Sequence, residues 1–211
     1  MVSSGASKTA QAPLQGLRII DLTSMVLGPY ATQILADYGA DVVKVEAPHG
    51  DLMRKGGAAK SADMGALHLQ LNRNKRSVVL DLKEPLAREA LLRLCEHVDV
   101  FVHNNRPAAM RRLALADAHV RKVNRRLVYV SLIGYGDSGP YAGKPAYDDL
   151  IQGICALPAI GAQAGAQAPR YVPLTLTDRI VGINAAHAIL AAVFRRDRTG
   201  EGQSVELPMF E

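Results

Sequence analysis

The stretch LRIIDLTSMVLGPYATQILADYGADVVKVEAP (17–48) decides the fold. The apolar run at 17–23 predicts a strand, the segment 28–40 predicts a helix, and 41–48 predicts a second strand. Two apolar strands separated by a single helix are typical of a parallel β-α-β unit with a right-handed crossover. This stretch therefore predicts a protein built around a parallel sheet.

The same alternation of strands and helices continues along the chain. Further strands are predicted at 77–82, 99–104 and 127–136, and a helix is predicted at 84–98. The apolar face of that helix is predicted to contain Leu86, Ala90, Leu91, Leu94 and Cys95. The strands are apolar throughout, as expected when helices cover both faces of a sheet. The sequence predicts an α/β fold with an open, doubly wound, mainly parallel sheet and helices on both faces.

Ligands of such sheets bind beyond the carboxyl ends of the strands. This rule predicts one ligand rim formed by 23–28, 46–49, 104–106 and 134–139. The last segment, GYGDSG, has the glycine spacing of a dinucleotide fingerprint, but two prolines and no helical pattern follow it. Because that fingerprint must open a helix, we favour a ligand-rim turn over a nicotinamide site.

Composition narrows the class of protein. The chain has 211 residues, is 48% hydrophobic and carries a formal net charge of +5, which suits one domain with a sizeable core. The histidines lack metal-ligand spacing, so no metal site is predicted. Two cysteines argue against a disulfide framework and favour a cytoplasmic location. With no run of 18 uncharged apolar residues and no nucleic-acid-binding motif, neither a membrane nor a nucleic-acid partner is expected.

Asp178 heads an apolar segment that predicts a buried helix. One interpretation is that Thr177 or Asp178 caps this helix, and spacing alone favours it. The alternative is a nucleophile that faces a ligand cleft and is kept ionised by the helix N-terminus. Two other caps are predicted: Asn105 for a helix that begins at Pro107, and the 147–149 segment for the helix that follows it.

Five stretches together resemble the family III CoA-transferases, which include formyl-CoA transferase, carnitine-CoA transferase and 2-methylacyl-CoA racemase. In order, they are LRIIDLTSMVLGPYATQILADYGADVVKVEAPHGD (17–51), NRNKRSVVLDLK (72–83), DVFVHNNRPAAMRRL (99–113), SLIGYGDSGPY (131–141) and LTDRIVGINAAHAILAAVFRRDRTGEGQSVELPMFE (176–211). The resemblance implies a Rossmann-like large domain. It also implies a coenzyme A thioester as substrate, a carboxylic acid as acceptor and no permanently bound cofactor.

The resemblance also implies roles for individual residues. Asp178 matches the aspartate that attacks the acyl-CoA carbonyl to form a mixed anhydride; the acceptor carboxylate then takes the acyl group and the bound thiolate regenerates a thioester. The positions that match coenzyme A contacts are Leu80, Lys83, Asn104, Arg112 and Tyr135. Lys75 and Arg76 lie in the same motif, with either a structural or a phosphate-steering role.

Three departures from the family pattern bear on specificity. Ser24-Met25-Val26 is more apolar than the matching segment of formyl-CoA transferase, which argues against formyl or oxalate specificity. After Glu46, this chain has Ala47-Pro48 where formyl-CoA transferase has an arginine near the adenine of coenzyme A. Tyr147 stands where the racemases have a histidine, and without that base transfer is favoured over racemisation.

Members of the family are longer than this chain and form interlocked homodimers. We therefore expect a disordered tail at 1–13 and, at 14–211, the N-terminal part of the large domain, with the linker to a second, smaller domain beginning near VELPMFE. A chain of this length is expected to be a fragment, one half of a split enzyme or a truncated product. A catalytically silent module that binds coenzyme A is the alternative to an active transferase.

Overall fold

The computed structural model describes residues 11–165 and 167–211. Its strands are β1 (Arg18–Leu22), β2 (Asp41–Glu46), β3 (Lys75–Val79), β4 (Val100–His103), β5 (Val128–Ile133) and β6 (Ser204–Pro208). Its helices are α1 (Leu27–Asp37), α2 (Ala66–Asn72), α3 (Pro85–Cys95), α4 (Pro107–Arg112), α5 (Asp117–Val123), α6 (Asp148–Ile154), α7 (Leu157–Gln163) and α8 (Leu176–Thr199). A short 3₁₀ helix, Leu52–Lys55, follows β2.

The six strands form one parallel sheet in the order β3-β2-β1-β4-β5-β6. Chain order reverses between β1 and β4, where Ile19 pairs with Val42 on one side and with Val100 on the other. A ligand crevice is expected outside the carboxyl ends at such a reversal. The predicted doubly wound α/β fold is confirmed.

Helices cover both faces of this sheet. On one face α1 and α8 pack against the strands around Leu35, Val102, Val130 and Ile189. On the other face Leu91 and Cys95 of α3, with buried residues of α4 and α5, pack around Phe101. The apolar strand cores are therefore shielded from water on both sides, as the sequence predicted.

Several predicted boundaries were wrong. β3 begins at Lys75 rather than at 77, and it is an edge strand with exposed positions. In α3 only Leu91 and Cys95 of the predicted face are buried, whereas Leu86 is 78% exposed. The physical reason is that α3 lies near the sheet edge, so only a narrow strip of it meets the core.

The two ends of the described chain are also ordered parts of the fold. Residues 204–208 form β6 and pair with β5 from Tyr129 to Ile133, while the expected linker to a second domain stays a prediction. Of the predicted tail, residues 1–10 lie outside the described residues. Ala12, however, accepts a hydrogen bond from the Gln15 amide at 3.0 Å. The part of the predicted tail that is described thus belongs to a folded turn.

Helix α8 is the one described helix that is long and apolar enough to cross a membrane by length and composition, with a mean hydropathy of 1.3. The sequence criterion of 18 uncharged residues missed it. In this fold Val181, Ala185 and Ile189 are buried against α1 and the sheet. Ile180 and Ile183 are exposed, so the helix is buried along one face rather than all round. We interpret α8 as a helix of the protein core that packs against the sheet.

A buried ion pair lies beneath the crevice. The Lys75 ammonium is 3.0 Å from the Asp21 carboxylate and also donates to the Pro29 carbonyl at 2.9 Å. Burial alone would raise the pKa of Asp21, but Lys75, Lys44 and neighbouring hydroxyls outweigh it and lower the pKa. Burial also lowers the pKa of Lys75 to about 8, against the opposing effect of Asp21.

Replacing Lys75 should therefore strongly destabilise the protein. Lys75→Met leaves the Asp21 charge buried without its partner, which costs about 3–5 kcal/mol. Arg76→Met is the matched control, because Arg76 pairs with Asp41 at an exposed site and should cost at most about 1 kcal/mol. Urea denaturation measures both variants, and equal losses would contradict the assignment.

Candidate active site

Two adjoining clefts open at the carboxyl edge of the sheet. The outer cleft, of about 510 Å³, lies beyond β1, β2 and β3 and reaches α4. The inner cleft, of about 460 Å³, lies beyond β4 and β5 and reaches the N-terminus of α8. Both clefts include Ser24 and Asn105 in their walls. A long ligand could therefore occupy both at once.

The outer cleft gathers three of the predicted ligand residues. Leu80, Lys83 and Arg112 line it, together with Glu46 and His49. Lys83 and Arg112 are exposed cations on two sides of the opening. Lysine and arginine are the usual partners of phosphate oxygens, so these two side chains are suited to bind phosphate, although Asp81 also lines the cleft.

The inner cleft gathers Asn104, Tyr135 and Asp178. The Asn104 amide accepts from the Ser24 N–H at 3.0 Å and donates to the Ser24 carbonyl at 2.8 Å. Asn104 thus fixes the loop after β1. The next residue in that loop, Met25, has a φ of +70° in the left-handed region. A non-glycine residue held there indicates a loop constrained by its surroundings.

The segment after β5 forms a turn, as predicted. Residues 134–147 run from β5 to α6, and no helix begins at 134–139 within this described segment. Tyr135 packs against Tyr141 and Phe210, with ring centroids 5.3 and 5.8 Å apart. The absence of a following helix removes the N-terminus that a dinucleotide pyrophosphate would need.

The predictions that Asn105 caps α4 and that Thr177 or Asp178 caps α8 were wrong. Asn105 donates to the Leu22 carbonyl at 3.2 Å, and Arg106 occupies the N-cap position of α4. Helix α8 begins at Leu176, so Asp178 lies inside its first turn, and Thr175 is the N-cap residue. Among the described side-chain contacts, Thr175 contributes no cap hydrogen bond.

The cap of α8 comes from α6 instead. Asp148 accepts from the Thr177 hydroxyl at 2.8 Å and from the Asp178 amide at 2.9 Å. The predicted 147–149 cap therefore acts on a different helix, because the first turns of α6 and α8 are adjacent. Asp178 keeps its own carboxyl free to face the inner cleft.

Asp178 does not have the low pKa expected at a helix N-terminus. Its pKa is raised to about 7: burial is the largest cause, the nearby charge of Asp148 adds to it, and Arg179 opposes both. The Asp148 carboxylate, not that of Asp178, accepts from the Asp178 amide and the Thr177 hydroxyl at this helix end. The side chain is thus half-buried and changes its charge near neutral pH.

Lys75 does not line either cleft. Its ammonium is buried and bonded to Asp21, Pro29 and Asn72, so the structural role is favoured over ligand contact. Arg76 lies at the start of β3, away from the carboxyl edge, and pairs with Asp41. The motif that holds both residues contributes Leu80 and Lys83 to the cleft through its later positions.

The sequence reasoning missed the polar network under the loops. The buried Lys44 ammonium is 2.9 Å from Asp51 and donates to the Thr23 carbonyl at 2.8 Å. Glu46 receives two hydrogen bonds from Arg54. The sequence did contain a signal for this network. Lys44 and Glu46 are charged residues within an apolar strand, and a charge buried there requires a partner. Across the described residues, no group of three His, Cys, Asp or Glu could hold a metal ion.

Comparison with known proteins assigns this arrangement to a family. The model of CoA-transferase family III matches residues 14–211. The chain belongs to this family. It is 39% identical over 203 residues to the formyl-CoA:oxalate CoA-transferase of Streptomyces coelicolor, a match that covers 95% of this chain and 48% of that protein. It is also 36% identical to the succinate–glutarate CoA-transferase of Agrobacterium fabrum, covering 94% and 51%.

Solved structures of related proteins have the same fold. The crystal structure of Rv3272 from Mycobacterium tuberculosis has a TM-score of 0.85 at 34% identity, covering 95% of this chain and 54% of that one. A CAIB/BAIF family protein from Brucella suis has a TM-score of 0.87 at 31% identity, covering 95% and 54%. This family III chain therefore spans about half the length of the relatives it matches.

Asp178 should destabilise the folded chain at neutral and higher pH. Its pKa in the fold, about 7, lies above the ordinary 3.8, so the folded state binds the proton more tightly. Folded-state stability therefore falls as pH rises from about 4 to about 7. Asp178→Asn carries no such penalty, so its melting temperature should exceed that of the wild type increasingly over this range.

Calorimetry at pH steps from 4.5 to 8.5 measures this difference. Asp149→Asn is the control, because Asp149 is an exposed neighbour on the first turn of α6. A difference between Asp178→Asn and the wild type that stays constant with pH would contradict the raised pKa.

Proposed function

We propose that the protein is an acyl-CoA:carboxylate CoA-transferase that acts through a mixed anhydride on Asp178. Membership of CoA-transferase family III supports the reaction class. Relatives named for formyl-CoA and oxalate, and for succinate and glutarate, support an acyl-CoA donor and a carboxylate acceptor. Because the chain spans about half of these relatives, the activity is proposed for the whole protein that contains it.

The observation that carries this proposal is the position of Asp178 at the end of the two joined clefts. Asp178 lies in the wall of the inner cleft with Asn104 and Tyr135, and the outer cleft, with Lys83 and Arg112 in its walls, continues from it. In the proposed step, a carboxylate oxygen of Asp178 attacks the thioester carbonyl carbon. The carbon–sulfur bond breaks, coenzyme A leaves as a thiolate with the electron pair, and the acyl group remains on Asp178 as an anhydride.

The same geometry suggests how coenzyme A would lie. Its nucleotide phosphates suit the outer cleft, where Lys83 and Arg112 are exposed and Leu80 offers an apolar wall. Its thioester end would pass Ser24 and Asn105 into the inner cleft. Asn104 acts by holding the loop between the clefts, since both of its amide atoms are bonded to Ser24.

Racemisation is the second candidate within the family. It requires proton transfer at the α-carbon from two sides, and a histidine commonly serves as one base. No histidine is among the described residues that line the inner cleft, and Tyr147 lies there instead. Transfer is therefore favoured. Uptake of solvent deuterium at the α-carbon of a chiral 2-methylacyl-CoA would favour racemisation instead.

Asp178 should carry the acyl group during turnover. Incubation with acyl-CoA followed by hydroxylamine should yield a hydroxamate at Asp178, located by peptide mass spectrometry. Asp178→Asn should give no adduct, because an amide is a poor nucleophile. Asp149→Asn should label like the wild type.

The absence of an adduct in the wild type, with coenzyme A binding intact, would contradict the proposed nucleophile. It would favour instead a silent module that binds coenzyme A without transfer. Transfer at normal rates would exclude the silent module.

Arg112 should contribute to coenzyme A affinity. Arg112→Ala removes a cation from the outer cleft and should weaken coenzyme A binding about tenfold, or about 1.4 kcal/mol. Arg111→Ala is the matched control, since Arg111 is an exposed neighbour on α4 that does not line either cleft among the described residues. Calorimetric titration of coenzyme A distinguishes them, and equal affinities would contradict the placement of the phosphates.

Three wider features remain proposals based on the family. We propose that the whole protein has a second, smaller domain, forms an interlocked homodimer and acts in the cytoplasm. The curated relatives support the first, because their length is about twice that of the matched region. The dimer is tested by light scattering of the whole protein.

A further inference from the structure

Asp148 and Asp178 belong to different helices but share one helix N-terminus. Asp148 begins α6 and Asp178 lies in the first turn of α8. The Asp148 carboxylate accepts from the Asp178 amide at 2.9 Å and from the Thr177 hydroxyl at 2.8 Å. Two carboxylates are thus held next to each other, with only one of them bonded to the helix end.

Gln152 fixes the Asp148 side chain. Gln152 is buried and donates from its amide nitrogen to Asp148 Oδ1 at 2.5 Å. Its amide oxygen accepts from the Val172 N–H at 2.9 Å, and its amide nitrogen also donates to the Leu174 carbonyl at 3.3 Å. Gln152 therefore ties α6 to the segment that leads into α8, and Asp148 completes the connection at the helix end.

We propose that Asp148 is a positioning residue for the transfer reaction: it holds the first turn of α8 so that Asp178 faces the inner cleft, and it places a second negative charge beside the nucleophile. This inference rests on the proposed function, because it assigns a role in the step that Asp178 performs. Asp148 does not line the inner cleft among the described residues, so it acts through Asp178.

The second charge has a chemical consequence. A neighbouring like charge disfavours ionisation and raises the pKa of a carboxyl group. The conjugate base of a weaker acid is the stronger nucleophile, provided that it is deprotonated at the working pH. Asp148 thus lowers the fraction of Asp178 that is ionised below neutral pH. It also makes each ionised Asp178 carboxylate a stronger nucleophile.

Other charged or titratable groups also face this site. Arg179 follows Asp178 on α8, and its charge lowers the pKa of Asp178. From the other elements around the inner cleft come Arg106, Tyr135, Asp137, Lys144 and Tyr147. Among these groups, Asp148 is the one that accepts a described hydrogen bond from the Asp178 amide, and it is the one whose charge raises the Asp178 pKa.

Asp148→Asn tests the proposal with little change in shape. The asparagine oxygen can still accept from the Thr177 hydroxyl and the Asp178 amide, so the cap is kept and the charge is removed, while the asparagine nitrogen replaces the oxygen that accepts from Gln152. We expect the pH midpoint of acyl-adduct formation at Asp178 to fall by about one unit or more. The rate at pH 5.5 should rise relative to the wild type, and the plateau rate at high pH should fall. The KM for acyl-CoA should change less than twofold.

Asp149→Asn is the matched control and should leave the midpoint unchanged. Carbon NMR of the aspartate carboxyl groups then measures the Asp178 titration without any substrate. A lower Asp178 midpoint in Asp148→Asn, but not in Asp149→Asn, supports the proposal. An unchanged midpoint overturns it, as does an equal shift in both variants.

The wild type supplies a measurement that does not depend on a variant's folding. The Asp148 carboxyl signal should move when Asp178 titrates, because the two groups are coupled. An Asp148 signal that is insensitive to the Asp178 titration overturns the proposal. If the NMR coupling is present but no acyl adduct forms at any pH, the proposed transferase function fails while the electrostatic link between the two carboxylates stands.

Discussion

One turn after Asp178, Gly182 brings α8 into direct contact with α1. A Cβ atom at this position would lie 2.9 Å from the Leu27 carbonyl oxygen and 3.1 Å from the Tyr30 ring. A side chain here would therefore push the two helices apart. Leu27 also lines the inner cleft. The close approach of the two helices therefore determines the position of Asp178 and of part of the cleft wall. The site geometry depends on how near these two helices come.

Beneath the clefts, stability depends on pairs of buried opposite charges. Lys44 is 1% exposed and is held by Asp51 and the Thr23 carbonyl, while Asp21 is held by Lys75. Such groups cost several kcal/mol each to bury, and a well-formed partner offsets most of that cost. Their benefit here is positional, because they tie the loops after β1 and β2 to the sheet. The loops that form the clefts are thereby anchored from below.

The sequence predicted the parallel sheet and the rim well because both follow from local patterns. Apolar runs and helix ends, such as Gly39 with its φ of +98°, are encoded within a few residues. The sequence-based predictions failed for residues whose interaction partners are distant in the sequence. Asp178 looked like a cap, since nothing local shows that Asp148, thirty residues earlier, reaches the same helix end. The role of Lys75 stayed open between structural and phosphate-steering for the same reason, because its partner Asp21 lies on another strand.

The pairing of β6 with β5 has a consequence for the order of folding. β5 lies at an inner position of the sheet, yet its outer neighbour comes from residues 204–208, after α6, α7 and α8. Until those residues have been synthesised, β5 presents an open row of backbone donors and acceptors. The loop that begins at Gly134 also lacks its later contacts, including that of the Gly136 amide with Glu211. A nascent chain at that stage would be vulnerable to edge-to-edge association, and maturation of the inner cleft would be among the last events of folding.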